Sequence, residues 1–386
     1  MQVLRNQPAG AHSVGGMNPK GLDAVAEIFA SLIGETAHPG AQLSIFRNGE
    51  LMVELAAGKD GRGLPVRLDS LLGILSTTKA LTSMVVHLLH DRGVFDYDDP
   101  VSRHWPEFAR NGKDRVTIRQ ILSHRSGLSP DVYAGYLDWR KWPQPGGIER
   151  LIEDMELFWV PGEKNGYHAL TFGHVFDVLA RKWTGKNIGE LLRQEICNPL
   201  GIKDVYIGLP EKEMPRFSRF SAVPWRAMTP GLELPPGGEE HFFNSYEILR
   251  QCLPWGNGVA RARDLARLMN VYAFEGSFAG REFFSKETFD LAVSPTNGPQ
   301  EVDVRIQTKV RWGLGLMVDH TEGVRGISGP IFGAKASPRA CGHMGGNSSL
   351  SWADPDRRLA VSFISTRAPI EGRYAELADA ILAACD

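Results

Sequence analysis

The stretch GILSTTKAL, residues 73–81, places a serine, two threonines and a lysine at the start of a long apolar segment. The apolar positions that follow repeat at helical spacing over residues 77–92. A helix that begins here brings Ser76 and Lys79, three residues apart, onto one face. The stretch therefore predicts a junction between a strand and a helix, with a hydroxyl and an amine side by side.

This pairing makes chemical sense as a nucleophile and its base. A serine hydroxyl attacks poorly unless a neighbouring group takes its proton. At a helix N-terminus Ser76 would also feel the positive end of the helix dipole, and burial of Lys79 would favour the neutral amine that can accept a proton. The tetrapeptide alone leaves a structural alternative open, in which Ser76 only caps the helix and Lys79 lies on the surface.

Strand signals collect at both ends of the chain. Asn48-Gly49 lies between two apolar runs and predicts a β-hairpin after a helix over residues 18–35. Near the C-terminus, SSLSWAD and RLAVSFIS predict two more strands, followed by a helix over residues 371–384. WGLGLMV, residues 312–318, predicts a further strand. The pattern indicates one sheet built from both termini.

The middle of the chain is dominated by helical patterns separated by loops rich in Pro, Gly and Trp, notably residues 129–147 and 208–240. We therefore predict an α/β (α+β) protein with an antiparallel sheet flanked by helices and a mostly helical insertion. The predicted sheet domain is discontinuous, residues 1–75 and 300–386. The predicted helical domain, residues 76–299, carries Ser76 and Lys79.

Composition excludes several classes of partner. The chain has 386 residues, is 42% hydrophobic and has a formal net charge of -2, so nothing favours nucleic acid or an anionic membrane surface. The four cysteines form no CxxC pair, and we expect them to be reduced. The N-terminus lacks the apolar segment of a secretory signal, which predicts a cytoplasmic protein. The oligomeric state stays open, and a homo-oligomer is compatible with the sequence.

A metal site is also disfavoured. His87 and His90 are three residues apart on the predicted helix, but no HExxH motif and no third ligand cluster accompanies them. We interpret this pair as packing or surface residues. The sequence predicts neither a metal nor another cofactor.

Three further stretches give the serine and lysine a context. They are LSHRSGL (122–128), PGEKNGYHALTFGHVFDVLA (161–180) and GHMGGNSSLSW (342–352). Together with STTK, these resemble the serine β-lactamase and penicillin-binding protein superfamily, most closely the family VIII carboxylesterases and their class C β-lactamase relatives. WGNGVARARDLARLM (255–269) is similar to another helix of that family, and the resemblance runs from about residue 18 to the C-terminus.

The resemblance implies roles for three residues. Ser76 and Lys79 match the S-x-x-K nucleophile and lysine, and Tyr167 matches the family tyrosine that usually reads Tyr-x-Asn. Here the motif reads Tyr-His-Ala, so the asparagine that contacts the amide side chain of a lactam is missing. Tyr133 and Tyr136 are competing candidates, although no helix pattern follows them.

HMGG, residues 343–346, occupies the place of the family's Lys-Thr-Gly motif. The resemblance implies that the backbone amides of Ser76 and Gly346 hold the oxyanion, with His343 and Gly345 beside the substrate. Histidine in place of lysine removes the group that binds the carboxylate of β-lactams. His343 as a simple packing residue at a strand edge is the alternative.

The expected function is hydrolysis of carboxylic esters with short acyl chains, through an acyl-Ser76 intermediate. Lys79 and Tyr167 would share the proton transfers, and the sequence leaves open which of them is the base at each step. An acyltransferase, a β-lactamase or D-Ala carboxypeptidase, and a catalytically silent binding or scaffold protein are the alternatives. A conventional α/β-hydrolase is disfavoured because no G-x-S-x-G motif occurs. Six aromatic residues could line an acyl pocket or anchor loops: Tyr133, Tyr136, Trp139, Trp142, Phe158 and Trp159.

Overall fold

The computed structural model describes seven segments of the chain: residues 4–6, 16–34, 38–128, 138–221, 242–318, 330–367 and 374–386. The described strands are β1 Leu4–Asn6, β2 Gly40–Arg47, β3 Glu50–Gly58, β4 Leu71–Leu75, β5 Val205–Ile207, β6 Phe217–Ser218, β7 Gly258–Ala260, β8 Ser277–Phe278, β9 Arg281–Glu282, β10 Met317–Val318, β11 Cys341–Gly345, β12 Ser349–Asp354 and β13 Leu359–Ser365. The described α-helices are α1 Pro19–Ser31, α2 Thr78–Asp91, α3 Val101–His104, α4 Ile118–Leu122, α5 Gly147–Glu153, α6 Thr171–Thr184, α7 Ile188–Leu191, α8 Tyr246–Leu249, α9 Ala262–Ala273, α10 Lys286–Val293 and α11 Tyr374–Cys385.

The main sheet has seven antiparallel strands in the order β1-β3-β2-β13-β12-β11-β10. Asn48 and Gly49 have φ values of 52° and 80°, the left-handed pair that a tight hairpin turn needs between β2 and β3. The C-terminal strand β13 pairs with the N-terminal strand β2. The structure therefore confirms the predicted hairpin and the predicted antiparallel sheet from both ends of the chain.

The prediction of a full strand over residues 312–318 was wrong. Only Met317–Val318 joins the sheet, and Trp312 forms an isolated bridge back to Met317. Gly315, with φ at 76°, makes the reversal. A Cβ on Gly315 would lie 2.0 Å from the Ser83 Oγ, so this turn packs directly on α2. The two glycines in this stretch break the strand that its apolar residues suggest.

The two faces of the sheet carry different side chains because successive strand residues point to opposite sides. Leu43, Ile45 and Phe363 pack in one apolar cluster together with α1 and α11. The other face presents small residues such as Ala56 and Ala360, and α9 crosses it against β2, β12 and β13. Small side chains on this face let a helix approach closely.

A second sheet, in the order β5-β7-β4-β6, leads into α2. The predicted helix over residues 77–92 is confirmed as Thr78–Asp91, and Gly93 follows it with φ at 71°. Residues 78–89 are buried on every side of this helix, so its polar residues need internal partners. Thr82 donates to the Pro254 carbonyl at 2.7 Å, and His87 bonds the Tyr97 hydroxyl at 2.7 Å.

The helix α2 therefore carries Lys79 in its buried first turn, directly after the turn that holds Ser76. His90 stacks on Tyr97 at 3.8 Å between ring centroids, which together with the His87 contact accounts for the histidine pair as packing residues. Among the described residues, no three His, Cys, Asp or Glu side chains cluster as a metal site. The division into a sheet domain and a helical domain stays a prediction.

Candidate active site

Ser76 lies in the turn between β4 and α2. Leu75 ends β4 with φ at 44°, a left-handed conformation that is strained for a branched residue and is found mostly at functional turns. Every other residue of the described stretch 71–89 is buried, whereas Ser76 is half-buried. The side chain of Thr77 donates to the His343 carbonyl at 3.0 Å rather than capping the helix. The turn thus presents the Ser76 hydroxyl to the solvent side of an otherwise closed core.

Lys79 is fully buried one turn into α2, beside Ser76. Its Nζ lies 3.3 Å from the Ser76 Oγ and donates to the carbonyls of Ala169, at 2.9 Å, and Trp255, at 2.7 Å. A neutral amine has two N–H groups and one lone pair. In the neutral form, an amine that keeps both N–H groups on these carbonyls would direct its lone pair toward the Ser76 hydroxyl, which is the orientation that a base requires. The structural alternative, a surface lysine, is wrong.

Tyr167 lies against the same amine. The Lys79 Nζ is 4.9 Å from the centroid of the Tyr167 ring, and Trp312 stacks on that ring with centroids 5.4 Å apart and an angle of 6° between planes. The structure therefore brings together Ser76, Lys79 and Tyr167, although 88 residues or more separate the tyrosine from the other two in sequence. The competing candidates Tyr133 and Tyr136 lie outside the described residues.

The third predicted segment, the end of β11, also reaches the Ser76 turn. A Cβ on Gly345 would lie 2.2 Å from the Ile74 carbonyl oxygen and 2.9 Å from the Ser76 nitrogen, so only glycine fits here. Gly346 and Asn347, with φ values of 50° and 58°, form the tight turn into β12. The close approach of this strand end to the Ser76 backbone is the arrangement that a two-amide oxyanion site requires.

His343 stands on β11 and is fully buried. Its Nδ1 donates to the Met344 carbonyl at 2.7 Å, which leaves a lone pair on Nε2, and Nε2 has no hydrogen-bond partner among the described residues. Burial, followed by the nearby Lys79 charge, lowers the pKa of His343 to about 3. At neutral pH this position therefore offers a neutral acceptor rather than a cation.

Sequence reasoning missed two buried histidines next to Tyr167, His124 and His168. The His168 amide donates to the His124 Nδ1 at 3.2 Å, and the Ser126 hydroxyl contacts the His168 Nε2 at 2.8 Å. The ring of His124 meets the Tyr167 ring edge-on at 4.9 Å. Burial lowers the pKa of both histidines, to about 3 for His168. Both belong to stretches that the sequence analysis used only as motif markers, LSHRSGL and Tyr-His-Ala.

The aromatic residues expected at the acyl pocket divide between two roles. Trp142 is buried against His174 and Trp255, with ring centroids 5.2 and 5.8 Å away, and acts as a loop anchor. Phe158 and Trp159 instead line a cavity of about 570 Å³. Trp159 also packs over Gly166, next to Tyr167, whereas Tyr167 itself is not among the residues that line this cavity.

Comparison with known proteins identifies the family. The family model described as Beta-lactamase matches residues 25–386. The chain belongs to the β-lactamase family. Its membership confirms the resemblance proposed from STTK and the three accompanying stretches, and it places the chain among β-lactamase-like serine hydrolases.

Relatives within the β-lactamase family carry both esterase and penicillin-binding names. A family VIII carboxylesterase of known structure is 28% identical, with a TM-score of 0.81 and 100% of each chain covered. A penicillin-binding protein homologue from Caulobacter crescentus is 29% identical, with a TM-score of 0.80 over 96% of this chain and 99% of that one. Esterase/beta-lactamase LipL from Mycobacterium tuberculosis is 29% identical over 93% of this chain and 84% of its own.

The described helices of this family member include none that is long and apolar enough to cross a membrane.

The buried histidines predict that the protein loses stability as the pH falls. Burial lowers the pKa from 6.5 to about 3 for His87, His168, His174 and His343, and to about 4 for His38. Below pH 6.5 the unfolded chain binds protons that the folded chain does not. Each such histidine therefore contributes stability that is complete above pH 6.5 and is lost toward its folded pKa, at about 1.4 kcal/mol per pH unit.

Urea unfolding between pH 7 and 4.5 measures this dependence. The His38 ring bonds the Ser365 Oγ at 2.8 Å. We expect His38→Gln to reduce the slope of the unfolding free energy against pH between pH 4.5 and 6. The expected reduction is about 1.4 kcal/mol per pH unit, the contribution of one proton. An unchanged slope would show that His38 is protonated in the folded protein.

Proposed function

We propose that this protein is a serine esterase, which hydrolyses carboxylic esters through an acyl-Ser76 intermediate. The observation that carries the proposal is the contact of the Lys79 Nζ with Ser76 Oγ, at 3.3 Å, while two carbonyls hold its other positions. Tyr167 beside this amine supplies a second group that can accept and return a proton. The site needs no metal and no cofactor for this reaction.

In the first half-reaction, the Ser76 oxygen attacks the ester carbonyl carbon, and the Lys79–Tyr167 pair takes the hydroxyl proton. The carbonyl oxygen becomes an oxyanion that the backbone amides of Ser76 and Gly346 stabilise. The intermediate then collapses, the bond to the alcohol oxygen breaks, and the pair returns the proton to the departing alcohol. The acyl group remains on Ser76.

In the second half-reaction, water attacks the acyl carbon. The Lys79–Tyr167 pair accepts a proton from this water and returns it to the Ser76 oxygen as the carboxylic acid leaves. The two groups share these proton transfers because the amine lies 4.9 Å from the centroid of the tyrosine ring. The division of labour between them at each step stays open.

Two features of the site favour esters over β-lactams. His343, where lactam-hydrolysing relatives of the class resembled carry lysine, is neutral, with a pKa lowered to about 3. Ala169, where those relatives carry asparagine, offers only its backbone carbonyl, which Lys79 already occupies at 2.9 Å. Neither residue supplies the charged or amide group that would bind the carboxylate or the amide side chain of a lactam.

We predict that the enzyme hydrolyses p-nitrophenyl esters of short acids and turns over nitrocefin poorly. One missing charge-assisted hydrogen bond costs about 1.5–3 kcal/mol, or roughly 10- to 100-fold in kcat/KM. Steady-state kinetics on C2 to C12 esters, run beside nitrocefin, measure the comparison. Nitrocefin hydrolysis as fast as butyrate ester hydrolysis would favour the β-lactamase alternative.

The remaining alternatives are separated by the acyl acceptor. With an alcohol or amine present, an acyltransferase would form the new ester or amide in place of the acid, and chromatography of the products would show it. Release of D-alanine from an acyl-D-Ala-D-Ala peptide would indicate a carboxypeptidase. A catalytically silent protein would give no turnover on any of these substrates.

A further inference from the structure

Asp303 is a fully buried carboxylate in the loop that leads from α10 toward β10. Its Oδ1 accepts the backbone N–H of Tyr167 at 3.1 Å and those of Arg305 and Ile306 at 2.9 and 3.2 Å. Its Oδ2 accepts the indole N–H of Trp312 at 3.2 Å. One carboxylate therefore contacts the backbone of Tyr167 and the side chain on which Tyr167 stacks.

Trp312 is itself fixed in place. It is fully buried, and its backbone N–H donates to the Asn297 Oδ1 at 2.8 Å while its carbonyl accepts from Thr296 at 2.7 Å. The indole plane lies 6° from the plane of the Tyr167 ring, with centroids 5.4 Å apart. Because Trp312 cannot shift easily, its stacking defines the plane in which the tyrosine lies.

The segment before the tyrosine is held by the same loop. The Val304 amide donates to the Asn165 carbonyl at 2.9 Å. A Cβ on Gly166 would lie 2.4 Å from the Trp159 ring and 3.0 Å from the Val304 side chain, so glycine lets the chain pass between them. Residues 165–167 are thus held by hydrogen bonds to their backbone, by the stacking of Trp312 on the Tyr167 ring, and by the Trp159 and Val304 side chains beside Gly166.

We infer that Asp303 is a positioning residue for Tyr167, which sets the place of the tyrosine hydroxyl relative to Lys79 and Ser76. The inference rests on the proposed function, because it gives Asp303 a role through Tyr167. Asp303 fixes the tyrosine twice, through the Tyr167 backbone and through the Trp312 ring. A proton transfer that depends on the distance between hydroxyl, amine and serine needs this precision.

Asp303→Asn tests the role with little change in shape. The asparagine Oδ1 can still accept the three backbone N–H groups, whereas its Nδ2 then faces the Trp312 N–H, so two donors oppose each other. We expect kcat on a butyrate ester to fall by about 10- to 100-fold, the scale known for residues that orient the ligands of a metal site. We expect KM to change little and the acidic limb of the pH–rate profile to shift.

The decisive measurement combines Asp303→Asn with Tyr167→Phe, which keeps the ring and its stacking. If Asp303 acts through the tyrosine hydroxyl, Asp303→Asn should lower kcat in the natural background and have almost no further effect in the Phe background. An equal loss in both backgrounds, or no loss in either, overturns the inference. If Tyr167→Phe itself keeps full activity, the role proposed for Tyr167 fails, and the inference fails with it.

Asp354 provides a matched control. It is also fully buried and accepts backbone N–H groups from Ser337 and Asp356 at 3.0 and 3.1 Å, and it forms an ion pair with Arg357 at 2.9 Å. It ends β12 at the opposite end from Ser349, which contacts the Ile74 carbonyl beside Ser76. We expect Asp354→Asn to lower thermal stability without shifting the pH–rate profile.

Trp312→Phe is the second variant, in case Asp303→Asn does not fold. It retains an aromatic ring and loses the N–H that Asp303 binds. We expect a smaller fall in kcat that likewise disappears in the Tyr167→Phe background. A fall of equal size in both backgrounds would overturn the inference. Activity in Ser76→Ala would instead overturn the proposed function, independently of these comparisons.

Discussion

Ser76→Ala is expected to abolish ester hydrolysis, reducing turnover by several orders of magnitude, the scale seen when a catalytic nucleophile is removed. The reason is chemical, because no other described hydroxyl combines the Lys79 Nζ at 3.3 Å with the solvent-facing turn that follows Leu75. A fluorophosphonate probe should add one group to the natural protein. Mass mapping should place that group on the peptide that contains Ser76, and Ser76→Ala should not be labelled.

Ser83→Ala is the matched control for this experiment. Ser83 lies on the same helix and is fully buried, with its hydroxyl donating to the carbonyls of Lys79 and Gly315 at 2.8 and 3.1 Å. The Ser83→Ala variant should leave labelling by the fluorophosphonate probe intact. Labelling of a serine other than Ser76, or persistent labelling of Ser76→Ala, would contradict the acyl-Ser76 mechanism.

Lys79→Ala and Tyr167→Phe are each expected to cost at least about 2–4 kcal/mol of transition-state stabilisation, as a loss of general-base catalysis of 10²- to 10³-fold implies. The pair acts as a unit, since the amine lies 4.9 Å from the centroid of the tyrosine ring and contacts the serine oxygen. The double variant should therefore lose much less than the sum of the single losses. Single-turnover kinetics on an activated ester measure all three variants.

Lysine removal also leaves two carbonyls without a donor, so stability needs its own control. Lys113 is a second fully buried lysine, whose Nζ donates to the carbonyls of Glu153, at 2.9 Å, and Met155. Lys113→Ala should destabilise the fold in a similar way without the catalytic loss. If Lys113→Ala lowers kcat as much as Lys79→Ala, the effect of Lys79 is structural.

The acidic limb of the pH–rate profile should report the coupled titration of Lys79 and Tyr167, and it should move or vanish in either single variant. Full activity in Tyr167→Phe together with loss of activity in Tyr133→Phe or Tyr136→Phe would show that another tyrosine takes the proton-transfer role proposed for Tyr167. Full activity in Lys79→Ala would remove the proposed base altogether.

Features that depend on neighbours in the chain could be predicted from the sequence. The hairpin at Asn48-Gly49 follows from two left-handed residues between apolar strands. The pairing of Ser76 with Lys79 follows from their separation of three residues at the start of α2, where the Lys79 N–H donates to the Ser76 carbonyl at 2.9 Å. The family resemblance extended this local reasoning to Tyr167 and to the strand end at Gly345.

The one incorrect strand shows where local reasoning ends. The apolar residues of 312–318 suggest a strand, but Gly315 reverses the chain because it must fit against Ser83 on another element. Whether a glycine ends a strand or lies within it depends on that contact, which the sequence does not display. The same reversal places Trp312 under Tyr167.

By itself, the sequence of this protein determined the sheet from both termini, the central helix and the pairing of Ser76 with an adjacent amine. These follow from side-chain periods and turn chemistry that act over a few residues. Only the tertiary structure decided that the carbonyls of Ala169 and Trp255 orient the Lys79 amine, and that Asp303 holds the Tyr167–Trp312 stack. Backbone carbonyls are present at every residue, and a carboxylate 136 positions from its partner has no local signature, so neither contact could be read before folding.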